Sequence, residues 1–473
     1  DWLLVPCAAL AAAVGMAAVV SPVLAVAAVA ALLFMGSALR SLAAGVALFT
    51  LLVFFTRIPA LSGSDVTLVR LAGGLLAVLW FIRVARRGSD TPVLLREHPA
   101  VAYTAMAFFA WTAASMLWAT DVAVARYNSF QFLQAIVLFF VVFSAVNTRR
   151  HLWWVVVAFV VGATLSAFTG LIGYTTPERY ALSPGRLTGG IRDANELAAI
   201  LVPALALAIF GAAAARARAV RWLLVVCALV TAFGLFRTES RGGLVALFVM
   251  FVVALVLAGP IRARAVAMMG AAIGAGIVYY TAFAPPEALA RVTTFREGGG
   301  SGRTDIWTIA MEVWRDNPIL GVGAGNFEEV ESLYTVRDVA IERLDLVVDR
   351  ATVAHNTYLH IVAELGLVGL ALFAGLIVST FVIAWGGVAR LREAGDVEME
   401  LLARGLMIGT IGMLTAFFFI SGQNLKQIPL LLGTLAALSS IGRLRASQRA
   451  ASPGSTGALG LRPTSGHARA PFD

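Results

Sequence analysis

Runs of about 18–20 apolar residues recur along this chain, separated by short polar breaks, and each is long enough to cross a bilayer as a helix. The pattern predicts fourteen spans, at roughly 2–20, 22–39, 41–56, 66–82, 101–118, 130–147, 152–173, 193–211, 221–236, 242–259, 265–283, 356–387, 403–421 and 426–442. The first three are Ala/Val-rich and closely spaced, so one of them can be re-entrant or merged. The expected fold is an all-α polytopic membrane protein with about 12–14 transmembrane helices.

One interruption is out of proportion to the rest. Residues 284–355 form a long polar block that runs into a helix starting near His355. A chain that is mostly lipid-soluble carries such a block where it covers something, so the segment reads as the roof of a site at one membrane face. The organisation is then an N-terminal bundle over 1–283, a large extracytoplasmic loop over 284–355, further spans over 356–442, and a disordered cytoplasmic tail over 443–473, rich in Ser, Gly, Pro and Arg.

Composition agrees. Hydrophobic residues make up 60%, charged residues 13%, and mean hydropathy is +0.86, whereas soluble domains hold about 25% charged residues. The formal charge of +9 comes almost wholly from arginine, Lys426 being the sole lysine. The arginines are scattered between spans and not gathered on one soluble face, which argues against nucleic acid as a partner. Cys7 and Cys227 both lie in apolar runs, so they read as small core residues and not as a disulfide or a metal site. The first apolar run lacks a basic flank and a cleavage site, so it reads as a span and not a signal peptide.

Arginine placement orients the bundle. With a cytoplasmic N-terminus, the inside loops hold Arg83, Arg86, Arg87 and Arg96, then Arg149 and Arg150, then Arg216, Arg218 and Arg221, with further groups at 262–264, 390–404 and in the tail. The outside loops hold fewer, as the positive-inside rule requires. This orientation puts the 284–355 block outside the membrane. The outside arginines cluster in the second half of the chain, beside Gly, Asn, Glu and His.

Four outside stretches carry candidate chemistry. In GRLTGGIRDANELAA, Asp193 and Glu196 have capping-box-like spacing ahead of the eighth span. RTESRGG at 237–243 opens the tenth span. GSGRTDIW places Arg303 before an amphipathic helix whose apolar stripe is Ile306, Trp307, Ala310, Val313 and Trp314. AHNTYLH opens the twelfth span. Helix N-termini carry unpaired N–H groups and partial positive charge, which suits phosphate, and arginine adds bidentate recognition. Arg186, Arg192, Arg241 and Arg303 together can hold a pyrophosphate at the membrane surface. His355 near a helix N-terminus is favoured in its neutral form and can act as a general base. Asn195, Glu239 and Asn356, in the same stretches, are further candidates for binding substrate.

Taken singly, each feature has a plainer reading. An outside arginine is commonly a solvated charge, and Asp193, Asn195 and Glu196 can simply cap a helix. A lone histidine at a span end is more often structural, and Trp307 and Trp314 fit interfacial anchors better than sugar platforms. The run GVGAGN at 321–326 lacks the Lys-Ser/Thr of a phosphate loop and reads as a turn. No cluster has metal-ligand spacing.

RDANELA at 192–198, ESRGGL at 239–244, GRTDIW with DNPILGVGAGNF at 302–327, and HNTYLHIVAELGLVG at 355–369 resemble, in series, the O-antigen ligase and polymerase superfamily of bacterial envelope glycosyltransferases. The resemblance spans residues 192–369; residues 1–150 match only as generic spans. It implies a multi-pass enzyme of the bacterial cytoplasmic membrane, acting on its outer side on a glycan linked to a polyprenyl diphosphate. Ligases join that glycan to a lipid A-core sugar, and polymerases join it to a growing glycan. By motif, the functional set falls on Arg241, Arg303 and His355, the arginines holding the diphosphate and the histidine activating the acceptor hydroxyl. Neither metal nor nucleotide cofactor is implied. A transporter is the competing class, but such proteins place polar sites near the midplane on broken helices, whereas the ionisable residues here read as lying at span ends.

Overall fold

The computed structural model describes residues 22–55, 68–87, 93–173, 186–191, 193–293, 303–335 and 353–450. The span expected at 2–20, Cys7 and Arg192 lie outside the described residues, as does the tail from 451 onward.

The described residues form seventeen α-helices and no strand. They are α1 (Pro22–Arg40), α2 (Leu42–Leu52), α3 (Leu68–Arg87), α4 (Leu94–Glu97), α5 (Pro99–Ala114), α6 (Val122–Ala145), α7 (Arg149–Leu171), α8 (Ala194–Ala214) and α9 (Arg218–Arg237). There follow α10 (Arg241–Leu257), α11 (Arg262–Val278), α12 (Pro286–Thr293), α13 (Arg303–Asp316), α14 (Phe327–Thr335), α15 (Thr357–Glu393), α16 (Val397–Ala416) and α17 (Gln427–Ala450). Ten helices are long and apolar enough to cross a membrane, and three shorter apolar ones are Val29–Arg40, Leu42–Leu52 and Arg241–Leu257. Together they match the expected runs from 22–39 to 426–442 one for one. The chain is an all-α polytopic membrane protein.

Boundaries moved where a polar first turn is helical. The span expected at 130–147 begins at Val122, and the one expected at 403–421 begins at Val397. In both, an aspartate caps the helix: Asp121 accepts from Ala123 N and Val124 N, and Asp396 from Met399 N. The last helix runs to Ala450, past the expected tail boundary at 443.

The spine of the bundle is α8. Of its apolar window, 94% is buried inside the protein. Its sequence, ANELAAILVPALALAIFGAAA, is rich in alanine, and small side chains let neighbouring backbones close in. It packs most extensively against α16 and α9. Pro203 lies inside it, and Gly409 of α16 packs closely against the Pro203 backbone, where a β-carbon would be tight.

The other organising feature is a break in α15. Gly366 has φ 65° and ψ −170°, a conformation essentially reserved for glycine. A break releases backbone groups that lipid cannot satisfy. The segment 318–323 takes them over: Leu367 N donates to Pro318 O (2.9 Å), Val322 N to Ala363 O (3.0 Å) and Gly323 N to Glu364 O (2.8 Å). Trp111 Nε1 donates to Leu365 O at 2.8 Å. GVGAGN is therefore a turn, as expected, and it is one docked into an interrupted helix. Its glycines 321, 323 and 325 all have positive φ. Asn326 then ties this strap to the start of α6, accepting from Asp121 N at 2.5 Å and donating to Asp121 O at 3.2 Å.

Span interiors are less clean than the hydropathy pattern implied. His360 Nε2 lies 2.9 Å from Glu364 Oε1 within α15, both buried, and Arg404 pairs with Glu400 at 2.7 Å in α16. The backbone groups at the break are taken up by the strap.

The 284–355 block contributes α12, α13 and α14 and a second, smaller core. Ile306, Ile309, Ala310 and Val313 of α13 meet Phe327, Val330 and Tyr334 of α14, with Val322 and Ala363 from the strap and α15. Of the expected apolar stripe of α13, Ile306, Ala310 and Val313 are buried. Ile309 is fully buried, while Trp307 and Trp314 are half-buried at its margins.

Substituting Gly366→Ala forces a β-carbon into the Ile319 carbonyl and a disallowed backbone. The expected cost is about 1–3 kcal/mol from the backbone alone. Thermal unfolding in detergent measures it against Gly274→Ala, which meets nothing within 4 Å and leaves stability within about 1 kcal/mol or slightly raised.

Candidate functional site

Three helices start together at one end of the bundle, each with a side-chain cap. Asp193 accepts from Asn195 N (2.7 Å) and Glu196 N (3.0 Å) at the head of α8. Ser240 Oγ accepts from Gly243 N (3.2 Å) at the head of α10. Asn356 Oδ1 accepts from Tyr358 N (3.0 Å) and Leu359 N (3.1 Å) at the head of α15. The expected starts at RDANE, TESRGG and HNTY are therefore helix starts.

Directly before two of these caps stand Glu239 (φ 50°) and His355 (φ 47°), the two non-glycine residues with positive φ among those described. Such backbone costs of order 1 kcal/mol per residue and persists where surroundings impose it. At His355 the surroundings are the turn after α16. Thr357 N donates to Phe417 O (2.8 Å), Thr357 Oγ1 donates to Ile420 O (2.7 Å), and Gly422 N donates back to Thr357 Oγ1 (2.9 Å).

The cations converge. The field at Arg303 includes Arg186 and Arg241, which oppose its charge, and Asp193, which favours it. Burial is the larger effect and pulls the Arg303 guanidinium below its ordinary range. Arg186 is lowered for the same first reason, with Arg291 adding to the repulsion. His355 is lowered by burial and then by Arg303, with Asp193 opposing, so its imidazole is held neutral. Arg186, Arg241, Arg303 and His355 thus belong to one electrostatic cluster, and Asp193 is its internal counter-charge.

Other candidates are engaged within the protein. Asn195 Oδ1 accepts from Arg186 Nη2 and from Ser240 Oγ, each at 2.9 Å, and Arg186 Nε donates to Thr238 O at 2.8 Å. Asn195 therefore links α8 to the head of α10. Asn356 uses its carbonyl oxygen to cap α15. Glu239 is buried and paired with Arg291 of α12, while Arg241 Nε donates to Arg291 O at 2.5 Å. Asn195 thus contacts Arg186 directly and Glu239 reaches Arg241 through Arg291, whereas Asn356 caps α15.

Arg291 went unread in the sequence, since PEALARVT offers one arginine on a short helix and no motif. Among the described residues, no group of three or more His, Cys, Asp or Glu is placed to hold a metal ion.

Beside the cluster, α9, α10, α11 and α12 enclose an apolar cavity of about 310 Å³, lined by Phe236, Leu244, Phe248, Ile277, Leu289 and Val292 among others. It adjoins Arg241 and Arg291 through their own helices. An anionic head at the cluster and an apolar chain in this cleft would be neighbours.

Residues 223–374 match the family model described as O-antigen ligase. The match takes in Arg241, Arg303 and His355 and begins after Arg186 and Asn195. No curated protein matches the chain.

The lowered basicity of His355 fixes a sign. A histidine depressed in the fold is neutral above pH 6.5 in both states, and its contribution to stability falls away as the pH drops below that value. Histidine NMR on the full-length protein, with the resonance assigned by its absence in His355→Asn, should place the His355 imidazole below 6.5. Arg303→Gln should move it back up, because a repelling cation is gone.

Proposed function

From the O-antigen ligase family segment that the chain carries at residues 223–374, we propose that it moves a glycan from a polyprenyl-diphosphate carrier to an acceptor sugar hydroxyl on the outer side of the bacterial cytoplasmic membrane. The observation behind this reading is the cluster of Arg186, Arg241 and Arg303 with a neutral His355 where three capped helices begin. Guanidinium groups at helix N-termini suit a diphosphate, and the neighbouring apolar cleft suits the first isoprene units of the carrier.

In the transfer, the acceptor oxygen attacks the anomeric carbon of the glycan. The bond from that carbon to the diphosphate oxygen breaks, and the electron pair leaves with the polyprenyl diphosphate. His355 takes the proton from the acceptor hydroxyl. Arg241 and Arg303 stabilise the charge that grows on the leaving group, and because the cluster is partly desolvated each contact is stronger than in water. Asn195, Asn356 and the Glu239–Arg291 pair hold these groups in place. Lipid A-core as acceptor makes the chain a ligase; a growing glycan makes it a polymerase, and supplying each to purified protein separates the two.

His355→Asn tests the base without losing a residue type that tolerates positive φ. Transfer of a defined polyprenyl-diphosphate glycan should fall about 10²–10⁴-fold with the protein still folded in membranes. Wild-type transfer by this variant would remove the proposed base. Arg303→Lys keeps the charge and loses the fork, and a drop of about tenfold or more in transfer rate is expected.

A further inference from the structure

The end of the bundle opposite the candidate site carries a second built feature. There α7 begins at Arg149 and α8 has just ended at Ala214. Two cavities adjoin there. One, of about 620 Å³, is polar, with Arg149, Arg216, Asp396 and Glu398 in its wall. The other, of about 690 Å³, is an apolar cleft between α2, α7 and the start of α9, walled by Leu48, Leu51, Trp154, Val157 and Val161. Both include Arg149, Arg216 and Glu398, so one opening leads from a cationic chamber into a hydrocarbon-lined slot.

The charges do not cancel at the junction. Glu398 receives Arg149 Nε at 2.9 Å, Arg216 Nε at 2.7 Å and Trp153 Nε1 at 2.8 Å. One carboxylate thus meets two guanidinium groups, and Arg150 stacks over Trp154, 4.7 Å from its ring centroid. The Arg216 side chain is 79% exposed, so its outer nitrogens face the chamber while Glu398 anchors its base. Arg218 and Arg221 follow at the head of α9.

We infer that this junction is a binding site for one anionic glycerophospholipid, its phosphate at Arg216 and Arg149 and an acyl chain in the slot against Trp154 and Val157. The cation excess selects an anionic head over a zwitterionic one. The slot selects a lipid over a free phosphate, which has no use for it. Basic pockets between spans recognise anionic lipid heads on these terms, with roughly a fivefold affinity gain per arginine. The inference is independent of the proposed transfer chemistry, since none of these residues belongs to the transferase cluster.

Native mass spectrometry of the full-length protein, released from nanodiscs of mixed phosphatidylglycerol and phosphatidylcholine, tests it. Phosphatidylglycerol should be retained at least about fivefold over phosphatidylcholine. Arg216→Gln should remove most of that preference, and Arg216→Lys should keep part of it. Val157→Trp, which fills the slot, should release the lipid with Arg216 intact. Equal retention of the two lipids, or retention unchanged in both Arg216→Gln and Val157→Trp, overturns the site. Displacement of phosphatidylglycerol by millimolar inorganic phosphate overturns it too, because the acyl slot would then contribute nothing.

Discussion

The constraint on which this fold turns is a broken helix inside a membrane protein. Interrupting α15 at Gly366 frees carbonyls at 363, 364 and 365 and the N–H of Leu367, and hydrocarbon offers none of them a partner. The polypeptide answers from a distant stretch of its own sequence. The strap at 318–323 and the indole of Trp111 complete the hydrogen bonds. That requirement is why the large loop is fastened to the bundle, and the fastening holds α13 and its Arg303 over the head of α15. Glu364 joins the two parts again, paired with His360 at 2.9 Å and accepting from Phe327 N at 3.4 Å.

With the loop fixed, the cluster can be kept under electrostatic tension. Arg303 is buried and repelled by Arg186 and Arg241, and Arg186 is buried too, with Asp193 as the near counter-charge. An anion with two negative groups would relieve both the repulsion and the desolvation, which is the differential interaction that a site for a charged leaving group needs. The two strained residues, Glu239 and His355, sit where α10 and α15 enter this region, so backbone strain and charge repulsion are concentrated in the same place.

Much of this was legible in the residue order, because helix caps are local. RDANE, TESRGG and HNTY each announce a helix start through a side chain two or three residues from its backbone partner, and all three starts are where they read. Hydropathy gave the spans, since each is a continuous apolar run. What could not be read was long-range. Gly366 in ELGLVG looks like any glycine in an apolar helix until the strap is seen against it. On α13 the expected Ile306, Ala310 and Val313 are in the small core, whereas Ile309 was missed and Trp307 and Trp314 lie at its margin, because helical period alone does not fix where the stripe is centred. Arg291 carries no local signature and reaches the cluster only through the turn that brings α12 back over α10. Asn195 and Asn356 were read for polarity, whereas their geometry makes them internal ties.

The pairing between the strap and the helix break also bears on how the chain tolerates change in length. Pro318, Val322 and Gly323 meet Leu367, Ala363 and Glu364 in fixed register, and Asn326 meets Asp121 only a few residues further on. Insertion or deletion of a single residue between these anchors would throw every one of the bonds out of step at once. A reading frame of amide groups runs through DNPILGVGAGN, and spacing within it is as binding on the chain as the identity of any catalytic side chain.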